Sequence, residues 1–141
     1  RPPRVSADQG VRARLQPLLR RAAVAHAGTR ALIGASLLAA PARWRPWFGD
    51  VVDEGGGRVA LQALGIREVV IGTGILHGLA RRTPVRAWFA LGVLLELVDT
   101  GSTMQHRDRL PSGNGADALA WFGASGAIGG ALLAVLLDDE R

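Results

Sequence analysis

The sequence of 141 residues contains no cysteine, no lysine and no tyrosine, and only three histidines. The lack of cysteine excludes disulfides, thiolate nucleophiles and cysteine-ligated zinc or iron–sulfur sites. His26, His77 and His106 show no HExxH or comparable ligand spacing, so the sequence predicts no metal site and no cofactor. Since no nucleophile–base arrangement is evident either, an enzyme is the less favoured class of function.

All 17 basic residues are arginine, and the net charge is +5. These arginines are not interleaved with aromatic residues, and no signature of a nucleic-acid-binding fold accompanies them. Nucleic acid is therefore not an expected partner. Arginines that flank apolar segments, in a chain with 48% hydrophobic residues, are instead typical of a membrane protein. The length predicts a single domain.

Four apolar segments predict membrane-spanning helices, at about residues 23–42, 59–80, 87–104 and 118–137. The last segment is free of charge throughout, whereas the other three contain charged residues. Tryptophan near the end of a span is typical of the aromatic belt at a membrane interface. The candidates for this belt are Trp44, Trp47, Trp88 with Phe89, and Trp121 with Phe122.

Glycines four residues apart indicate faces where helices approach closely, and two such pairs occur, Gly74/Gly78 and Gly126/Gly130. Residues 1–22 predict a short basic amphipathic helix on the membrane surface, with Ser6 and Gln9 as a capping box. A solvated arm is the alternative for this stretch, since Pro17 costs a helix-interior hydrogen bond.

The expected fold is therefore all-α: a four-helix transmembrane bundle over 23–141, preceded by the amphipathic surface helix of 1–22. A soluble helical bundle is the main structural alternative. A secretory signal that ends near Ala40-Pro41-Ala42 is another, although so long a basic region is unusual in signals.

The distribution of arginines predicts the orientation in the membrane. Nine arginines lie in the amino-terminal arm and in the 81–86 turn, against five in the two opposite loops. The positive-inside rule then predicts a multi-pass protein of the inner membrane with both termini in the cytoplasm.

Charged residues inside the apolar segments are the candidate site. Arg67 and Glu68 lie in the second segment, and Glu96 and Asp99 lie three residues apart in the third. At the standard helical rise, Arg67 and Glu96 lie about 12 Å, and Asp99 about 7.5 Å, from the same membrane face. An unpaired charge at such depth is costly, so we expect Arg67 to pair with one or both acids.

Three further side chains extend this candidate cluster. Glu68 points about 100° away from Arg67, toward another helix or a hydrated cavity. Arg30 and His77 are secondary candidates at similar depth in the inner half, where Arg30 is expected to snorkel toward the interface and His77 to be neutral or hydrated. The cluster is interpreted either as a structural clasp or as a proton- or substrate-binding site.

Three motifs occur in order: Arg30-x-x-x-Gly34-x-x-Leu37-Leu38-x-x-Pro41, Leu64-Gly65-x-Arg67-Glu68-x-x-x-Gly72, and Trp88-x-x-x-Gly92-x-x-x-Glu96-x-x-Asp99. Over residues 28–137 they resemble a family of small four-span bacterial membrane proteins, common in actinobacteria and of unknown function. The resemblance implies a four-span fold and no particular activity. The family usually has aspartate after the arginine, whereas this chain has Glu68.

The sequence thus favours an integral membrane protein with an interaction or accessory role, whose partners are the lipid bilayer and a second copy of the chain or a larger membrane complex. The alternative is a small proton-coupled transporter or ligand-binding membrane protein that uses the intramembrane acids.

Overall fold

The computed structural model describes residues 7–110 and 115–137, and every regular element in these ranges is helical. The helices are α1 (Ala7–Ala39), α2 (Arg45–Phe48), α3 (Gly55–Arg81), α4 (Arg86–Gln105) and α5 (Gly115–Leu137). Short 3-10 turns occur at Pro41–Trp44, Gly49–Val52 and Arg107–Arg109. The capping box predicted at Ser6 begins outside the described residues.

The first helix is longer than the first predicted span. It covers 33 residues and includes Pro17, so most of the predicted amino-terminal arm and the first apolar segment form one helix. The division of the chain into an arm over 1–22 and a bundle over 23–141 stays a prediction.

Three of the helices are long and apolar enough to cross a membrane: Arg14–Ala39 within α1, Gly55–Arg81, and Asp117–Leu137 within α5. At 1.5 Å per residue, the 21 residues of the shortest rise about 31 Å, which matches a hydrocarbon core of about 30 Å. The remaining long helix, α4, corresponds to the third predicted span. It is not one of these three helices, and it carries Glu96 and Asp99 and ends in a polar turn.

The long helices pack as two antiparallel pairs, α1 with α3 and α4 with α5, and α1 also contacts α5. A tight turn joins α3 to α4. Arg82 ends α3 in the left-handed conformation, with φ 55°, and its backbone N–H bonds to the Gly78 carbonyl. Beyond this turn α3 and α4 make few backbone contacts.

Glycines line the seam between α1 and α3. A methyl group on Gly34 would lie 2.5 Å from the Gly65 carbonyl oxygen, and one on Gly72 would lie 2.6 Å from the Ala27 carbonyl oxygen. The two helices therefore touch backbone to backbone, which only residues without a side chain permit.

The two glycine pairs noted in the sequence lie at other helix contacts. Gly74 faces the Trp88 ring and Gly78 faces Val85, at the start of α4. On α5, Gly126 and Gly130 face α4. Both pairs are thus packing positions, as their spacing indicates.

Apolar side chains cover the outside of the helices as well as the core. The core contains Ala27, Ile71, Ile75 and Phe89, and a second cluster forms around Leu37. Large apolar side chains are nevertheless exposed on all four long helices, including Leu32, Ile66, Leu94 and Ile128. An apolar exterior around buried charges is what a lipid environment requires.

The aromatic residues expected to form a belt lie in different surroundings, and the belt itself stays a prediction. Trp44 contacts Trp47 and Phe48 after α1, with ring centroids 5.1 Å and 6.4 Å away. Trp121 is exposed on α5. Phe89 does not face outward as a belt residue would, because it is only 1% exposed and packs beside His26 in the core.

The α1–α3 seam gives a matched pair of glycine variants. Gly34→Ala is expected to lower the free energy of unfolding by about 1–3 kcal/mol, since the added methyl overpacks the seam. Gly28→Ala, on the same helix with no atom within 4 Å of the new methyl, should stay within about 1 kcal/mol of the unaltered protein or gain stability from helix propensity. Thermal unfolding in detergent measures both, and equal effects would contradict the seam.

Candidate functional site: a buried ionic network

Five charged side chains from three helices meet inside the bundle. Arg30 comes from α1, Arg67 and Glu68 from α3, and Glu96 and Asp99 from α4. Along the contacts the signs alternate, in the order Asp99, Arg67, Glu68, Arg30, Glu96. We call these five residues the ionic network.

Arg30 connects all three helices. Its Nη2 donates to Glu68 Oε1 at 3.0 Å, and its Nη1 donates to Glu96 Oε1 at 2.7 Å. The Nε lies 2.9 Å from Glu68 Oε2, close enough for an ion pair but without hydrogen-bond geometry. Because the residue is only 5% exposed, these carboxylates replace water around its charge.

Arg67 forms the second bridge between α3 and α4. It holds Asp99 with both terminal nitrogens, with Nη1 donating to Oδ1 at 3.1 Å and Nη2 contacting Oδ2. Its Nη2 and Nε also reach Glu68 Oε1, at 3.0 Å and 3.2 Å. Glu68 therefore lies between two guanidinium groups, which suits a carboxylate that is almost fully buried.

The network is deepest at Arg30 and opens toward Asp99. Side-chain exposure is 6% for Arg30 and 9% for Glu68, and rises to 24% for Arg67 and 38% for Asp99. If every group is ionised, two arginines face three carboxylates, and the network carries one negative charge in excess. Any proton that the network binds goes to a carboxylate, because arginine does not deprotonate in proteins.

Glycines of α4 and α5 lie beside this network. The Arg30 guanidinium packs over Gly92 of α4, where a methyl group would lie 3.5 Å from Nη1, in ordinary van der Waals contact. On α5, a methyl group at Gly126 would lie 2.9 Å from Glu96 Oε1. Beside it, the hydroxyl of Thr100 is buried and has no hydrogen-bond partner among the described residues.

The contacts agree only in part with the pairing expected from depth. Arg67 does contact Asp99, and Glu68 does reach another helix. Glu96, however, pairs with Arg30 rather than with Arg67. The expectation that Arg30 snorkels toward the interface is wrong, because the carboxylates of α3 and α4 hold it inside the bundle.

His77 lies apart from the network. It is exposed and lines a shallow cavity with Val70, Thr73 and Trp88 between α3 and α4. Among the described residues, no group of three or more metal-ligating side chains is placed to hold a metal ion. The ionic network can therefore hold its three helices in place relative to one another, and it can bind a proton. Its buried position suits the structural role.

Removing the central arginine tests the network. Arg30→Gln is expected to lower the free energy of unfolding by about 3–5 kcal/mol, because Glu68 and Glu96 would remain buried without a counter-charge. Arg45→Gln breaks an exposed pair with Asp53 and should cost at most about 1 kcal/mol. Thermal unfolding of the two variants in the same detergent gives the comparison.

A small, similar loss in both variants would mean that water or rearranged side chains can replace Arg30. Restored stability in Arg30→Leu combined with Glu68→Gln and Glu96→Gln would attribute the loss to the unpaired carboxylates rather than to packing.

The chain was also compared with known proteins. No protein-family model, curated protein or solved structure matches it. The resemblance to small four-span bacterial membrane proteins therefore stays a prediction. The function has to be argued from the ionic network, the apolar exterior and the distribution of arginines.

Proposed function

We propose that this chain is a four-span integral membrane protein with an interaction or accessory role, in which the ionic network is a structural clasp. One observation carries the proposal: the five charges of the network contact one another inside the bundle, while large apolar side chains cover its outside. The resemblance to small four-span bacterial proteins implies the same architecture.

The fourth span is α4, and the contacts of its acidic residues support this assignment. Glu96 lies ten residues after the first residue of α4, which is about 15 Å along the axis. It contacts Arg30, which lies nine residues, or about 13.5 Å, before Ala39 at the end of α1. If α1 crosses the bilayer, its contact with Glu96 requires α4 to lie at the same depth.

The surroundings of the network favour the clasp over a transport pathway. Two cavities lie near the α3–α4 turn, and neither is lined by a member of the network. The guanidinium of Arg30 is enclosed by carboxylates, so it has little capacity for a ligand. The exposed apolar faces are then available for a second copy of the chain or for other membrane helices.

The proposed orientation has both termini in the cytoplasm of a bacterial cell with the protein in its inner membrane. Arg20 donates to the Leu79 carbonyl oxygen, so the arginines in the first half of α1 and in the 81–86 turn lie at one end of the bundle. Arg45 and Arg107 belong to the connections at the other end. The arginine-rich end is assigned to the cytoplasm by the positive-inside rule.

A proton-coupled transporter is the second candidate. The excess carboxylate and the partial exposure of Asp99, at 38% of its side chain, favour it, because an acid at the open end of a buried network can exchange protons with water.

The topology can be tested directly because the chain has no cysteine, so each introduced cysteine is a unique reporter. We expect Glu54→Cys and Asp108→Cys to react with a membrane-impermeant maleimide in intact cells, and Thr83→Cys to react only after permeabilisation. If α4 does not span, position 108 lies on the same side as position 83. Protection of Asp108→Cys alongside Thr83→Cys would therefore contradict the four-span topology.

The clasp and the transporter differ in what neutralising the acids does. In the clasp, Glu96→Gln lowers the free energy of unfolding by about 1–3 kcal/mol, because the amide oxygen can still accept from Arg30 but no longer carries the counter-charge. Proteoliposomes of the unaltered protein then show no proton flux. Asp108→Asn, on an exposed residue of the α4–α5 connection, is the control and should leave stability unchanged. A pH-driven flux that Asp99→Asn abolishes while the protein stays folded would contradict the clasp and support the transporter.

A further inference from the structure

A basic cavity lies at the arginine-rich end of the bundle, where α3 ends and α4 begins. Its volume is about 320 Å³, within the range of about 300–1,000 Å³ typical of small-molecule sites. Three arginines line it, Arg20, Arg82 and Arg86, and none of its lining residues within 7–110 and 115–137 is acidic. Leu79, Val85, Ala134 and Leu137 form its apolar part.

The backbone around the cavity adds to its preference for anions. The first turn of α4 borders the cavity and has no side-chain cap, so the amide groups of a helix N-terminus lie beside the arginines. The partial negative charge of the carbonyl groups at the C-terminal end of α3 is offset by two donors. Arg20 donates to the Leu79 carbonyl oxygen, and the Arg82 backbone N–H donates to the Gly78 carbonyl oxygen. One bond to Leu79 uses one of the five N–H donors of Arg20.

We propose that this cavity binds the phosphate group of an anionic phospholipid. The proposal rests on the membrane insertion proposed above, which places the ends of the spanning helices at headgroup depth. Arginine matches phosphate oxygens with two parallel N–H donors, and basic pockets between helices at the cytoplasmic face suit anionic headgroups. Ala134 and Leu137 lie where the glycerol and the first acyl carbons would enter.

Neighbouring arginines provide matched controls. Arg20 and Arg82 line the cavity, whereas Arg21 and Arg81 are exposed beside them and are not among its lining residues. Each control removes one charge from the same end of the bundle. If the lipid is held only by general attraction to positive charge, binding should fall equally in the Arg→Gln variants at 20, 82, 21 and 81. If the cavity is a defined site, binding should fall only in Arg20→Gln and Arg82→Gln.

The experiment measures how phosphatidylglycerol and phosphatidylcholine, added to the full chain in neutral detergent, change its unfolding temperature and its lipid retention in native mass spectrometry. We expect phosphatidylglycerol to be retained and to stabilise the protein, and phosphatidylcholine to do neither. Arg20→Gln and Arg82→Gln should each weaken retention by about fivefold, the loss expected for one basic residue near an anionic surface. Arg21→Gln and Arg81→Gln should retain the lipid as the unaltered chain does.

Three outcomes would overturn the proposal. Equal losses in the four variants would indicate diffuse electrostatic attraction. Stabilisation by inorganic phosphate as large as that by phosphatidylglycerol would indicate a site for free phosphate. Loss of lipid after neutralising the acidic residues 138–140, which follow Leu137 in the sequence, would also count against it, because removing competing negative charge should favour an anionic ligand.

Membrane insertion is tested separately by the cysteine topology above. A chain that labels as a four-span protein but retains no phosphatidylglycerol would overturn the lipid site alone.

Discussion

The contacts of Arg30 with Glu68 and Glu96 are the constraint on which the arrangement of α1, α3 and α4 depends. A charge near the middle of a bilayer costs at least about 2.5–3.5 kcal/mol on insertion scales, and here one cation and two anions offset one another across three helices. Each contact also fixes rotation, because one residue of slip turns a helical side chain by about 100°. Arg67 and Asp99 repeat the same constraint one turn away.

Short contacts between charged side chains require short distances between helices, and small residues provide them. A residue four positions along a helix lies on the same face, so a glycine at that spacing lets the neighbouring helix approach beside the charge. Gly34 and Gly72 lie directly in the backbone contact between α1 and α3. Three charge–glycine pairs share the spacing: Arg30 with Gly34, Glu68 with Gly72, and Glu96 with Gly92.

The sequence predicts the helices and some members of the ionic network. It does not predict the partners of Arg30 or the exposed position of His77, and both have a physical reason. Helical rise places Arg67 level with Glu96, with Asp99 about 4.5 Å nearer the membrane face. Arg67 nevertheless contacts Asp99, which the sequence offered as one of its two possible partners. The position of Arg30 does not follow from its own segment, because the carboxylates that hold it inside the bundle belong to α3 and α4. Depth also says nothing of rotation: His77 is expected at a depth similar to that of Arg30, yet it lies on an exposed face of α3. The four-residue spacing of Arg30 and Gly34 was the signal that could have identified the interior face.

The same interactions explain how α4, which is not among the three helices apolar enough to cross a membrane, fits the proposed four-span fold. By composition α4 is a poor span, because Glu96 and Asp99 would each oppose transfer into hydrocarbon. In the bundle neither acid meets lipid alone, since both reach arginines of helices that are themselves apolar enough to span. The arginines of α1 and α3 have the converse need, because without α4 both would share the single carboxylate of Glu68. Insertion of α4 is then coupled to packing rather than to its own hydropathy, and the two acids that make it a poor isolated span are the residues that hold it in place.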